Sequence, residues 1–257
     1  MKPSRKIQIA TAFAAAETYH TRAAVQHQVA TRLAGHLHTL SLPSLPRILE
    51  LGCGSGFLSQ HLCRQWPTSR ILLTDIALPM VLRNQATLAG QLNKSSHVVM
   101  DGEHPAVGPG WDLITSSMTL QWFEALPAAL HHLVTLLNPG GWLVYATLGR
   151  DTFHEWRQTC DRFGVPCGTP LYPTCQQMQA MWPASGTGNI TEEHIRTEYP
   201  QPLTFLQDLK RLGAHQAAPN HRPVATGQMR RLLRTKGSEP GFSVTYHVLY
   251  GFFNKGN

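Results

Sequence analysis

Residues 47–56, RILELGCGSG, limit what this chain can fold into more than any other stretch. Ile48, Leu49 and Leu51 make a short apolar run that also carries an acid, Glu50, and leads into glycines at 52, 54 and 56. An apolar-periodic segment follows from Phe57. The pattern predicts a buried strand, a tight turn without large side chains, and the start of a helix. Such a turn lets a ligand approach the backbone, and the helix N-terminus offers unpaired N–H groups at the positive end of a dipole. An acid at the strand tip would repel phosphate; it suits a ligand that carries a cation.

The surrounding chain repeats this rhythm. Helical spacing runs from Arg5 to Leu40, with Phe13, Tyr19, Val25 and Val29 recurring on it, until SLPSLP breaks it. RILEL, a helix over 58–65, ILLTD, a helix from Pro79 to about Leu92, HVVMD, WDLITSSM, a helix over about 126–137, the turn NPGG and the strand WLVYATL then follow. Apolar strands alternating with helices imply a parallel sheet covered on both faces. After Gly149 the rhythm changes. A helix near 152–163, a loop rich in Pro, Gly and Cys, and a helical TCQQMQAMW lead to a strand at ITEEHIRTEYP. Helices at TFLQDLKRLGAH and GQMRRLLRT and a last strand, FSVTYHVLYGFF, complete seven strands, with the late helices inserted as a cap between the last two.

Three further markers fall at strand ends. Asp75 closes ILLTD, where a carboxylate beside the first turn accepts both hydroxyls of a ribose. Asp101, followed by Gly102, closes the third strand and is placed to receive the exocyclic amine of an adenine. Ser116 and Ser117 end the fourth. In open parallel sheets ligands sit outside the carboxyl ends of the strands, where all of these lie. A dinucleotide fingerprint, GxGxxG counted from Gly52, needs a glycine at 57, and that residue is Phe57. The motif is instead ExGxGxG, and Glu50 with Asp75 narrows the ligand to S-adenosylmethionine.

At 257 residues the chain is long enough for one elaborated domain. Its N-terminus, basic before an Ala-rich stretch, is interrupted by Gln8, Glu17 and His20, which argues against a secretory signal. The cysteines (53, 63, 160, 167, 175) form no CxxC pair and the histidines are scattered, so no metal site and a reducing cytoplasm are expected. The formal charge of +7 points to an anionic partner. Basic residues gather at Lys2, Arg5 and Lys6 and again at Lys210, Arg211, Arg222, Arg230, Arg231, Arg234 and Lys236; for many of them solvated surface is sufficient explanation.

ELGCGSG, LLTDIALPM, MDGEHP and NPGGWLVYATLG resemble the class I S-adenosylmethionine-dependent methyltransferases. FAAAETYHTRAAVQHQVATRL, SSMTLQW, LKRLGAH and SVTYHVLYGFF resemble, more narrowly, the malonyl-[acyl-carrier-protein] O-methyltransferases of biotin synthesis. The likeness runs from about Ala12 to Phe253 and is weakest over 150–189. It implies a Rossmann-like α/β fold with a seven-stranded, mostly parallel sheet and an antiparallel last strand. Residues 1–45 would form a helical lid, 46–150 the cofactor-binding core, and 151–257 the late strands with the inserted cap, all one composite domain. It further implies that Glu50, Gly52 and Gly54 meet the methionine end of the cofactor, that Asp75 binds the ribose, that Met80 and Asp101 flank the adenine, and that Gly56, Gly102 and Ser117 also belong to the cofactor site. Tyr19 would close over the cofactor, with Gln121 and Trp122 on the acceptor side.

Methyl transfer to a malonyl carboxylate needs no general base, because that group is already ionised near neutrality. No Ser/His/Asp or Cys/His arrangement stands out. A cation must orient the carboxylate, and Arg150, Lys210, Arg211 and His247 are the candidates. The resemblance supplies an acidic acyl-carrier protein as partner for the basic late segment. No nucleic acid, no membrane and a monomer are expected. The alternatives are a methyltransferase for another small carboxylate or a quinone precursor, and an S-adenosylmethionine-binding assembly factor without methyl transfer. RNA methylation is a further reading, favoured by the high pI alone.

Overall fold

A computed structural model describes residues 4–16, 18–91, 94–218, 221–233 and 241–256. Lys2, Glu17, Arg234 and Lys236 lie outside the described residues. The order is α1 (Arg5–Ala14), α2 (Tyr19–Arg22), α3 (Ala24–Leu37), β1 (Ile48–Leu51), α4 (Phe57–Gln65), β2 (Arg70–Asp75), α5 (Leu78–Leu88), β3 (Lys94–Val99) and β4 (Trp111–Ser117). A 3-10 turn (Leu120–Trp122), α6 (Leu126–Leu136), β5 (Leu137–Leu148), α7 (His154–Arg162) and α8 (Cys175–Gln179) follow. Then come β6 (Gly186–Tyr199), α9 (Pro202–Arg211), α10 (Thr226–Leu233) and β7 (Phe242–Lys255).

The strands form one seven-stranded sheet in the order β3-β2-β1-β4-β5-β7-β6. β1 pairs in parallel with β2 on one side and β4 on the other, so the chain reverses its winding at the carboxyl end of β1. That reversal opens the crevice in which ligands of doubly wound sheets bind. β7 runs against its neighbours: Gly149 N donates to His247 O at 2.8 Å while Asn254 Nδ2 donates to Gly140 O at 2.8 Å, so one index falls as the other rises. The central strands are continuous apolar runs because helices cover both faces. Leu49, Leu51, Ile114, Leu143 and Tyr145 from the sheet pack with Leu130 and Leu133 of α6, all buried.

Two compact units are present. One comprises Met1–Arg22, Leu148–Thr174 and Glu193–Val248; the other comprises Ala23–Thr147, Cys175–Glu192 and Leu249–Asn257. The single N-terminal helix expected from Arg5 to Leu40 is three, and this division coincides with the second break, between α2 and α3. α1 and α2 belong to the first unit, where Arg22 pairs with Asp208 at 3.4 Å and Gly213 packs on the backbone of Ala12. α3 belongs to the second, burying Val25, Val29, Leu33 and Leu37. The break is a change of packing partner, which an Ala-rich sequence does not announce. Other differences are local. α5 stops at Leu88 ahead of Gly90, which takes a φ of 82°. β5 takes in the NPGG segment, with an irregularity in its pairing between Trp111 and Leu113.

Candidate cofactor and acceptor site

The glycine turn follows from where β1 ends. Gly52, Gly54 and Gly56 all take positive φ (68°, 50° and 100°), a region that side-chain-bearing residues rarely enter. At Gly52 there is also no room, since a Cβ would collide with the side chain of Thr119. Cys53 N donates to Thr74 O at 2.8 Å and ties the turn to β2. Gly56 then starts α4, with no side chain capping its first N–H groups.

Asp75 stands at the carboxyl end of β2, nearly buried. Its Oδ2 accepts from Gly54 N at 3.0 Å and its Oδ1 from Ala77 N at 2.9 Å. Burial pushes its carboxyl up, and the backbone donors pull it back. Ile76 N also acts on the carboxylate, so three of its four lone pairs are engaged and one remains for a further donor. Asp101 is half-buried; its Oδ1 accepts from Glu103 N at 3.0 Å, and His104 lies 3.6 Å from its Oδ2. Gly102 is buried, with the side chain of Leu51 3.2 Å from where its Cβ would stand. Met80, on the first turn of α5, is buried, its sulfur 3.8 Å from Arg83 Nη1. Ser117 is half-buried, but Ser116 is turned away from the rim: fully buried, it donates to Leu51 O at 2.8 Å.

Glu50 is withdrawn beneath the turn, 1% exposed, and burial raises its carboxyl to about 8, with Asp75 adding to the effect and Ser59 opposing it. Ser59 Oγ donates to Glu50 Oε2 at 2.6 Å and accepts from Asn84 Nδ2 at 2.8 Å. Neither Ser59 nor Asn84 belongs to a recognisable motif, and the sequence reading missed both. It also missed Glu103. This buried carboxylate accepts from Glu124 N (2.9 and 3.0 Å) and Ala125 N (2.6 Å), clamping the end of the loop that carries Gln121 and Trp122. In that loop Met118 holds a φ of 57°, and Gln121 donates to Met118 O at 2.8 Å while accepting from Thr147 Oγ1 at 3.2 Å. Trp122 is half-buried.

The remaining predicted residues belong to the other unit. Tyr19 opens α2, half-buried, with its ring edge-on to Phe13 at 6.3 Å. Arg150 Nε donates to Tyr172 O at 3.0 Å. Lys210 and Arg211 lie exposed in the last turn of α9, and Asp208 meets both Arg211 and Arg22 at 3.4 Å. His247 is buried: its Nδ1 accepts from Asp151 N at 3.2 Å and its ring stacks on His194 at 4.4 Å. Asp151, His194 and His247 bring three potential metal ligands within 4.8 Å of one another. A metal lies in the plane of each imidazole that binds it, and these rings are within 14° of parallel, with Nδ1 of His247 already accepting a hydrogen bond. A shared ion would require at least one ring to turn.

The fold and the turn define a class, and comparison with known proteins agrees: a methyltransferase domain matches residues 25–213. The YcgJ protein of Bacillus subtilis superposes with a TM-score of 0.64 at 13% identity, covering 88% of this chain and 99% of that one. A putative methyltransferase of Bacillus halodurans gives 0.63 at 12%, covering 88% and 100%. The malonyl-[acyl-carrier protein] O-methyltransferase of Magnetococcus marinus is 47% identical over 98% of this chain and 94% of its own length. The biotin biosynthesis bifunctional protein BioCD of Bordetella avium is 38% identical over 94% of this chain and 51% of that protein. The chain belongs to the malonyl-[acyl-carrier protein] O-methyltransferase family, and S-adenosylmethionine is its cofactor. The residues present fit that cofactor: the positive-φ glycines leave the backbone open, and Asp75 offers spare acceptor capacity beside it.

Proposed function

We propose that the protein methylates the free carboxylate of a malonyl thioester on acyl-carrier protein, giving the malonyl-carrier methyl ester at an early step of biotin synthesis. The similarity to the Magnetococcus protein carries this reading, because it spans the flanking segments as well as the glycine core that many methyltransferases share. When bound, the cofactor supplies a methyl group on a sulfonium. The chain's own work is binding and alignment. Asp75 takes the ribose, Met80, Asp101, Gly102 and Ser117 the adenine side, and Glu50 the cationic amino-acid end below Gly52, Gly54 and Gly56. Gln121 and Trp122 face the acceptor on the loop that Glu103 fastens. Tyr19, Arg150 and His247 serve the acceptor carboxylate, and Lys210 and Arg211 meet the acidic carrier.

No proton has to be removed from a carboxylate that is already ionised, so the reaction needs no general base. Rate then comes from orientation, which supplies on the order of 7–11 kcal/mol in favourable cases. We further propose a cytoplasmic monomer; among the described residues no helix is long and apolar enough to cross a membrane. Incubation with methyl-labelled cofactor and malonyl-carrier protein tests the reading. The label is expected on the carrier and is released as methanol by base. Transfer to RNA or to a quinone precursor instead, or cofactor binding with no transfer to any acceptor, overturns it.

A further inference from the structure

Beneath the glycine turn lies a line of buried hydrogen bonds whose direction can be read from their partners. Asn84, on α5 and fully buried, places Nδ2 3.2 Å from Cys53 O and 2.8 Å from Ser59 Oγ. A carbonyl accepts only, so the amide orientation is settled: Nδ2 faces the turn and Oδ1 faces away. Oδ1 lies 3.0 Å from His97 Nε2 on β3, so that ring nitrogen carries the proton and donates. Ser59 Oγ receives one Asn84 hydrogen, and its own hydrogen goes to Glu50 Oε2 at 2.6 Å. Every donor therefore points the same way, from His97 through Asn84 and Ser59 to Glu50. Bonds aligned in series polarise one another, and donors aimed at a carboxylate favour its charged form.

The sequence places polar residues at 59, 84 and 97 on three different elements, where separate surface roles would serve. Full burial of Ser59 and Asn84 rules those roles out for these two. We infer that Asn84 is a positioning residue for cofactor capture, directing a chain of donors from His97 through Ser59 onto Glu50 so that its carboxylate is available to the cofactor's ammonium group. The inference rests on the proposed role of Glu50. Burial, and after it Asp75 from β2, oppose ionisation of Glu50, while the Ser59 hydroxyl favours it. Burial first and Glu50 second push up the thiols of Cys53 in the turn and Cys63 on α4, and His97, pulled down by burial, stands at the far end of the chain.

The test uses the full chain and two ligands in titration calorimetry. S-adenosylhomocysteine has the ammonium group; 5′-methylthioadenosine keeps the nucleoside and thioether but lacks the amino-acid end. Glu50→Gln reports on the underlying role, Ser59→Ala and Asn84→Asp on the chain, and His97→Gln, which keeps a donor, on rescue. Ser59→Ala and Asn84→Asp are expected to weaken S-adenosylhomocysteine by about tenfold and 5′-methylthioadenosine by less than about twofold. Both should also move the pH midpoint of S-adenosylhomocysteine affinity upward, with His97→Gln close to wild type. If Glu50→Gln leaves the affinity unchanged, the role of Glu50 falls and the inference with it. If Glu50→Gln is selective but Ser59→Ala and Asn84→Asp are silent, or weaken both ligands equally, the inference alone is overturned.

Discussion

Burial of Glu50 makes the ligand-free protein sensitive to pH in a definite direction. Its carboxyl rises from the ordinary 4.5 to about 8, so between those values the folded chain holds a proton that the unfolded chain has released. The stability it contributes is complete below about 4.5 and is lost as pH rises through 8. At about 1.4 kcal/mol per pH unit this amounts to a few kcal/mol. Glu50→Gln removes the titration and leaves Asp75, which shifts the same way, in both proteins. The unfolding free energy of the variant relative to wild type should therefore climb from pH 5 to pH 9 in urea titrations; parallel profiles would show that Glu50 does not titrate as described.

At the scale of elements, the loop after β4 is held from outside itself. Glu103 fastens its end through Glu124 N and Ala125 N, and follows directly on Asp101 and Gly102, which are proposed to line the adenine side. Glu103→Ala leaves those N–H groups without their carboxylate, at a cost of about 1–3 kcal/mol in stability. It should raise KM for the malonyl acceptor several-fold while changing cofactor affinity by less than about twofold; steady-state kinetics with each substrate varied in turn checks the split, and an equal loss for both would deny the loop its acceptor role. The strands and the turn were legible in the sequence because burial on both faces leaves continuous apolar runs and because positive φ demands glycine. Ser59, Asn84 and Glu103 were not. They are polar residues whose partners lie on other elements, and no local spacing marks a hydrogen bond between α4 and α5 or a carboxylate that clamps a loop 21 residues on. The start of β6 at Gly186 was hidden too, since its glycine allows close approach to the backbone of Asn254, a contact made by β7 far along the chain.

Over the whole molecule the net charge of +7 gives the electrostatic side of the account a testable form. Asp208 stands 3.4 Å from Arg211 and offsets part of its charge, so Lys210 is the stronger contributor on α9. Lys210→Glu should raise KM for malonyl-carrier protein more than Arg211→Glu does, with little effect on a malonyl-CoA substrate, and added salt should narrow the difference. Equal effects on both thioesters would remove α9 as a docking face. The most direct test of the central claim is the intact mass of the carrier protein after incubation with the enzyme and S-adenosylmethionine. Malonyl-carrier should gain the mass of one methylene and acetyl-carrier, which lacks the free carboxylate, none; an unchanged malonyl-carrier, or equal gain on both, would contradict methyl transfer to the malonyl carboxylate.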